Sequence, residues 1–257
     1  SSDLTKRQEE TADYYERLAG LFEHKYSRRP VQLVILNDNS AFDFVVAYRA
    51  RLFPGASVVF CGINNYTPEM RELIPNSTGV AEFKEMRATL DLALRLHPLA
   101  RNVAIIADDT GTGRIDAGLI RQAVADRGNL EMLNLSGATL SLPELLARLR
   151  ELPPHTVVIF GSFWRDRRGV SYAAEEILPR ITEASTAPVY THSDTFVIGG
   201  VVGGVVVHGK YQGKLAGEMA VRILDGESPG AIPVALRSNV PMFDHAALAR
   251  WQIDPRA

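Results

Sequence analysis

Short apolar runs alternate with amphipathic segments along most of this chain. Val31 to Leu36, Ser57 to Cys61, Asn102 to Ala107, Leu130 to Leu135, Thr156 to Phe160 and Val189-Tyr190 are apolar runs of strand length. Between them, apolar residues recur near the helical period. That predicts helices over Leu4–Tyr26, Ala41–Leu52, Phe83–Leu96, the segment up to about Arg127, Leu142–Leu152, Ser171–Ala184 and Gln212–Leu224. Pro30, Pro54-Gly55 and His97-Pro98 punctuate the pattern. Strand, polar loop, helix, strand is the grammar of parallel sheets with helices on their faces, so the expected fold class is α/β.

Most of these strands end in a small or polar loop just before a helix. The loops are Asn37-Asp38-Asn39-Ser40, Gly62 to Asn65, Asp108-Asp109-Thr110-Gly111-Thr112-Gly113, Gly161-Ser162-Phe163-Trp164 and Thr191-His192-Ser193-Asp194. In open α/β sheets ligands bind outside those strand ends, which makes the loops the candidate site.

Composition narrows the partners. The chain has 257 residues, 46% hydrophobic and 23% charged, enough to bury a full core as one large domain or two lobes. Lys and Arg number 28 against 30 Asp and Glu, so nothing in the charge favours nucleic acid or an anionic membrane. A single cysteine, Cys61, excludes an internal disulfide and a Cys-based zinc site. No two of the six histidines sit at i, i+4, so no helical metal pair is expected, and no cofactor. The most apolar stretch, Val197–Val207, is broken by four glycines and is too short to span a bilayer. The opening residues show no signal pattern, so the chain as given is expected to be soluble, either cytoplasmic or stripped of its targeting parts.

Several motifs fail on inspection. Gly111-Thr-Gly113 resembles the start of a dinucleotide fingerprint, but Asp116 stands at the third glycine position, where its charge would repel a pyrophosphate. A tight turn with a threonine helix cap is the plainer reading. Gly204 to Lys210 nearly fits a phosphate-binding loop, but Tyr211 replaces the Ser or Thr and three consecutive valines make a strand. Cys61 sits in an apolar strand and reads as a buried structural thiol. His192 lies beside Asp194 in a strand-end loop, as a ligand contact or a surface histidine. Phe163 and Trp164 either line a pocket or pack on the next helix, and Arg165 to Arg168 either meet a ligand carboxylate or are solvated.

Particular stretches resemble a known family. These are Val31 to Ser40, Leu52 to Asn64, Thr78-Gly-Val80, Ala88 to Pro98, Ala107 to Arg114, Gly199 to Gly204 and Gly213 to Glu227. In order and spacing they look like the ABC-transporter substrate-binding-like family with the type I periplasmic binding fold. More narrowly, they resemble the version that serves as the extracytoplasmic sensor of membrane histidine kinases and diguanylate cyclases. The resemblance implies two lobes, each a parallel sheet flanked by helices, closing on a small molecule. Lobe one would comprise 1–102 with 198–230, and lobe two 103–197 with 231–257. Ligand-binding positions would be Asn37, Asp38, Asn39, Ser40, Gly62, Asn64, Asp108, Asp109, Thr110, Ser162, Phe163, Trp164, Thr191, His192 and Asp194, with Gly199 and Gly200 near a crossing and Gly200 counted in the site. Relatives usually begin with a further strand and helix ahead of the segment matching Asp3 to Tyr26. The end at Trp251 to Ala257 reads as the approach to a membrane helix.

Three functions follow as expectations. The first is an extracytoplasmic sensor that binds a small polar solute (an amino acid, an amine or a polyol) and signals through a membrane helix to cytoplasmic domains, with a homodimer allowed. The second is a free solute-binding protein of an ABC transporter. The third is an enzyme using Asp38, Asp108, Asp109 and His192 as acid and base groups. No nucleophile, metal set or cofactor loop accompanies those residues, so a non-enzymatic binding module is expected.

Overall fold

The computed structural model describes residues 11–28, 30–64, 66–254 and 256. The chain divides into two compact units, Ser1–Phe83 with His208–Ser238, and Lys84–Val207 with Asn239–Ala257.

In the first unit, helix α1 spans Ala12–Tyr26 and is capped by the Thr11 hydroxyl. The predicted helix began at Leu4, and 4–10 lie outside the described residues. β1 (Leu33–Asn37), α2 (Asn39–Leu52), β2 (Ser57–Asn64), the short α3 (Pro68–Leu73) and β3 (Ser77–Glu82) follow. The strands form a parallel sheet in the order β1-β2-β3. Its two faces carry separate cores. Phe42, Val45, Val58, Phe60 and Ile63 pack beneath α1 and α2. Val59, Cys61 and Val80 pack beneath α8, which returns over Gly209–Leu224 with Ala216, Met219 and Ala220 inward. β2 is therefore buried on both sides, which is why it reads as a continuous apolar run. Cys61 is buried, and burial raises its thiol pKa, as expected of a structural cysteine.

The second unit holds α4 (Met86–Leu96), β4 (Asn102–Ala107), α5 (Gly111–Ala125), β5 (Glu131–Ser136), α6 (Leu142–Arg150), β6 (Thr156–Phe160), α7 (Ala174–Ala184), β7 (Val189–Thr191), β8 (Gly203–Val207), β9 (Asn239–Phe243) and α9 (His245–Arg250). Its sheet runs β5-β4-β6-β7-β8-β9. All neighbours are parallel except β8 and β9, so the expected parallel sheet flanked by helices carries one antiparallel strand at its edge. Every residue of β4 and β6 is buried. α6 and α7 cover one face through Leu142, Leu145, Ile177 and Leu178. α4, α5 and α9 cover the other through Leu90, Ala93, Ile120 and Leu248. Each such leucine or isoleucine side chain contributes about 1.5–3 kcal/mol by leaving water.

The unit boundaries differ from those expected, for reasons of packing. The first crossing falls after Phe83, not near Asn102, because Met86, Leu90 and Ala93 of α4 pack on Val103 and Ile105 of β4. The second falls after Val207, not near Ile198, because β8 bonds to β7 and β9. The third falls after Ser238, because Ala235 exchanges backbone hydrogen bonds with Gly79 and Ala81 beside β3.

Candidate functional site

In the first unit, the loop after β1 is stitched to the loop after β2. Asn39 Oδ1 accepts from Asn64 N at 2.9 Å, and Asn39 Nδ2 donates to Asn64 O at 3.3 Å. One side-chain amide thus extends the ladder past the last backbone pair. Asp38 is held at φ 82°, a left-handed conformation unusual for a non-glycine residue. Its carboxylate accepts from Asn39 N at 2.6 Å, and its own N–H bonds Cys61 O. Gly62, at φ 64°, needs its lack of a Cβ, which would lie 2.5 Å from Asn37 Oδ1. Its N–H donates to Gln212 Oε1 at 3.1 Å, and Gln212 Nε2 reaches Glu82 Oε2 and Ser238 Oγ, each at 3.3 Å. The structure therefore groups Asn37, Asp38, Asn39, Ser40, Gly62 and Asn64 at the carboxyl ends of β1 and β2. It adds Gln212 and Glu82, which sequence reasoning missed.

In the second unit, Asp108 ends β4 and organises the loops around it. Its Oδ1 accepts from Thr110 N at 3.0 Å and from the Thr110 hydroxyl, and its Oδ2 accepts from Trp164 N and Arg165 N. Thr110 Oγ1 in turn accepts from Gly113 N at 3.1 Å and caps α5. A Cβ on Gly113 would fall 2.0 Å from Asp108 Oδ1, so this Gly-Thr-Gly stretch is a capped turn built around a buried carboxylate. Both Asp108 oxygens are occupied by the protein itself. Asp109 is exposed and faces Arg165 at 3.4 Å.

Asp116 of α5 is 1% exposed, and its Oδ1 meets Lys84 Nζ at 2.7 Å. Burial raises the Asp116 pKa, with Lys84 working against that rise. The Ser162 hydroxyl faces the same carboxylate, yet neither Ser162 Oγ nor Asp116 Oδ2 completes a hydrogen bond. His192 at the end of β7 is 4% exposed, and its Nδ1 has no partner. Burial, helped by the Lys84 ammonium, holds its pKa down to about 3, so the imidazole is neutral. The pairing of Lys84 with Asp116 carried no sequence signal, because an ion pair across 32 positions is a tertiary fact.

The aromatic pair divides between its two readings. Phe163 is 1% exposed and packs in the core beside Tyr172. Trp164 is half-buried against Phe196, which also meets His192 and Phe160 edge-on. Thr191 is buried with its hydroxyl on Phe160 O, and Asp194 opens a short 3-10 turn. Gly200 does not join this group. It precedes β8 and lies at the opposite end of the sheet, where a Cβ would come 3.0 Å from Thr182 Oγ1 of α7. Gly199 packs likewise on Pro179 and not at a crossing. The two glycines serve close helix–strand packing within the second unit.

Among the described residues no group of three or more His, Cys, Asp or Glu is placed to hold a metal ion. No helix among them is long and apolar enough to cross a membrane. The arrangement offers strand-end loops with polar side chains, a half-buried indole and a buried ion pair, which is the equipment of a small-molecule site.

The family model of the ABC transporter substrate binding protein matches residues 58–243. Among curated proteins none matches the chain. Among solved structures, a ligand-free, open substrate binding protein with adhesive properties from Clostridium difficile aligns with TM-score 0.66 and 16% identity, covering 93% of this chain and 80% of that one. An ABC domain from Streptococcus pneumonia in complex with L-Trp aligns at 0.54 with 15% identity, covering 93% and 82%. A solute binding protein from Bacillus halodurans with bound myo-inositol also aligns at 0.54, with 14% identity, covering 92% and 82%. At such identities these structures speak for the fold, which is that of type I periplasmic binding proteins. The family match spans well over half of the sequence, and the chain belongs to the ABC transporter substrate-binding protein family.

Proposed function

We propose that this protein is an extracytoplasmic solute-binding component of an ABC transporter that takes a small polar molecule at its strand-end loops. The observation that carries the reading is the family match over residues 58–243. The loop chemistry supports it: Asn39 and Asn64 lie at strand ends of the first unit, Thr110, Ser162, Trp164 and His192 at those of the second, and no metal cluster is found among the described residues. The protein acts by binding and not by catalysis. Aligned structures hold L-Trp, myo-inositol and, in a solute binding protein from Burkholderia graminis, D-arabinose. An amino acid or a polyol therefore heads the ligand classes. The kinase-sensor role, its cytoplasmic signalling partners and a homodimer find no support in these comparisons, and the transporter role is preferred.

A thermal-shift screen against amino acids, amines, sugars, nucleosides and carboxylates tests the reading. At a hundredfold excess over Kd a ligand adds about 2.7 kcal/mol, roughly 5–10 °C in Tm for a chain of this size. One or a few related compounds should produce that shift. A flat response to the whole panel contradicts the proposal.

A further inference from the structure

The strand ends of the second unit are rich in carboxylates by sequence, which suits an amine ligand. The structure ties up part of that charge. Asp108 spends both oxygens on Thr110, Trp164 and Arg165, and Asp109 faces Arg165. The Asp116 side chain is 1% exposed, whereas that of its partner Lys84 keeps 17%. An ammonium has three N–H donors, and the hydrogen bond to Asp116 Oδ1 uses one of them. Lys84 is thus a cation that a solute can reach here.

Beside it lie Ser162 Oγ, His192 Nδ1 and Asp116 Oδ2, all buried and without a hydrogen-bond partner. Native structures leave few such atoms, and each calls for an explanation. The other acid and base groups near α5 are engaged elsewhere: Arg87 and Asp91 of α4 pair with Asp126 and Arg127 beyond its far end.

We infer that Lys84 determines ligand specificity: its remaining N–H groups take a carboxylate of the solute, with the Ser162 hydroxyl as a second donor. The inference rests on the solute-binding reading above. The carboxylate belongs either to a zwitterionic amino acid or to a plain organic acid.

Isothermal titration of the full chain separates these cases. The probes are L-tryptophan and L-leucine, each with its deaminated acid and its decarboxylated amine, and myo-inositol and D-arabinose as carboxylate-free compounds. The tightest probe should carry a carboxylate. Lys84→Met should weaken it roughly tenfold to a hundredfold, the range of a hydrogen bond to a charged group. The double variant Lys84→Met with Asp116→Leu strands no charge, and it should show the same loss with its thermal midpoint preserved. An amino acid binding far above its deaminated acid assigns the zwitterion, and equal binding assigns the acid. If an amine or a carboxylate-free probe binds tightest, or if Lys84→Met weakens all probes alike, Lys84 is a structural ion-pair partner and the inference fails while the binding reading stands. If no probe binds the wild-type chain, both fail.

Discussion

The two units end their strands in chemically different ways. In the first, the polar residues satisfy one another: Asn39 and Asn64 pair through their amides, and Gln212 ties Gly62 to Glu82 and Ser238. In the second, charge is buried and hydrogen bonds are left open. Lys84 and Asp116 pair in the interior, His192 is neutral, and three side-chain atoms lack partners. A set of mutually satisfied amides is a rigid wall. A buried pair with open valences stores free energy that a ligand can release, because an unpartnered polar group costs about 1–3 kcal/mol until something bonds to it. On this account the strand ends of the first unit are closed among themselves, and those of the second keep polar atoms open to a solute.

Substitutions should separate the two regions. The largest effect falls on Asp108→Ala, which strands Trp164 N, Arg165 N and the Thr110 cap at once. It should destabilise by roughly 3–5 kcal/mol in urea denaturation. A loss under 1 kcal/mol, on the order of one exposed hydrogen bond, would show that the loop does not hang on this carboxylate.

Next is the acid response of His192, whose folded pKa of about 3 lies below its ordinary 6.5. Across that window the unfolded chain binds more protons than the folded one. Stability therefore rises with pH there and is lost as pH falls. At about pH 4 the loss is roughly 3 kcal/mol. His192→Gln should flatten this part of the stability–pH curve relative to wild type, and parallel curves would contradict the buried neutral imidazole.

Asn39→Ala should cost only about 1–2 kcal/mol, since it removes three neutral hydrogen bonds, one of them long, at a half-buried loop. If it instead matched Asp108→Ala, the contrast between the units would collapse. Trp164→Ala should cost about 1–2 kcal/mol of urea stability, since the half-buried indole leaves Phe196, and should weaken binding by about 1–3 kcal/mol, read by calorimetry. An unchanged Kd would assign the indole to packing on Phe196.

What could be read from the sequence follows the same physics. β2, β4 and β6 announce themselves because both faces are buried, which forces runs such as Val58-Val-Phe60 and Val157-Val-Ile159. β3 did not, because Ser77-Thr-Gly79 holds no apolar run. It is buried through small residues, and a Cβ on Gly79 would lie 2.1 Å from Phe60 O. β9 was hidden by Pro241, tolerable only at the edge of a sheet. The strand-end loops were legible as candidates because the strands preceding them were. Which loop residues stay available was not, since that depends on partners far along the chain: Asp108 is consumed by Trp164 and Arg165, while Lys84 and Asp116 gain a role from each other. Gly200 misled for a related reason, its neighbours Val201 and Val202 being close in sequence to β8 but at its start.

The most direct test of the account is to locate the solute on the protein. The backbone amides of the isotopically labelled chain would be followed by NMR while the panel compound giving the largest thermal shift is titrated in. The account predicts that the largest changes fall at Asp108 to Thr110, Ser162 to Trp164 and Thr191 to Asp194. Changes confined to the opposite end of the second sheet, around Leu96 to Ala100 and His155, would contradict it.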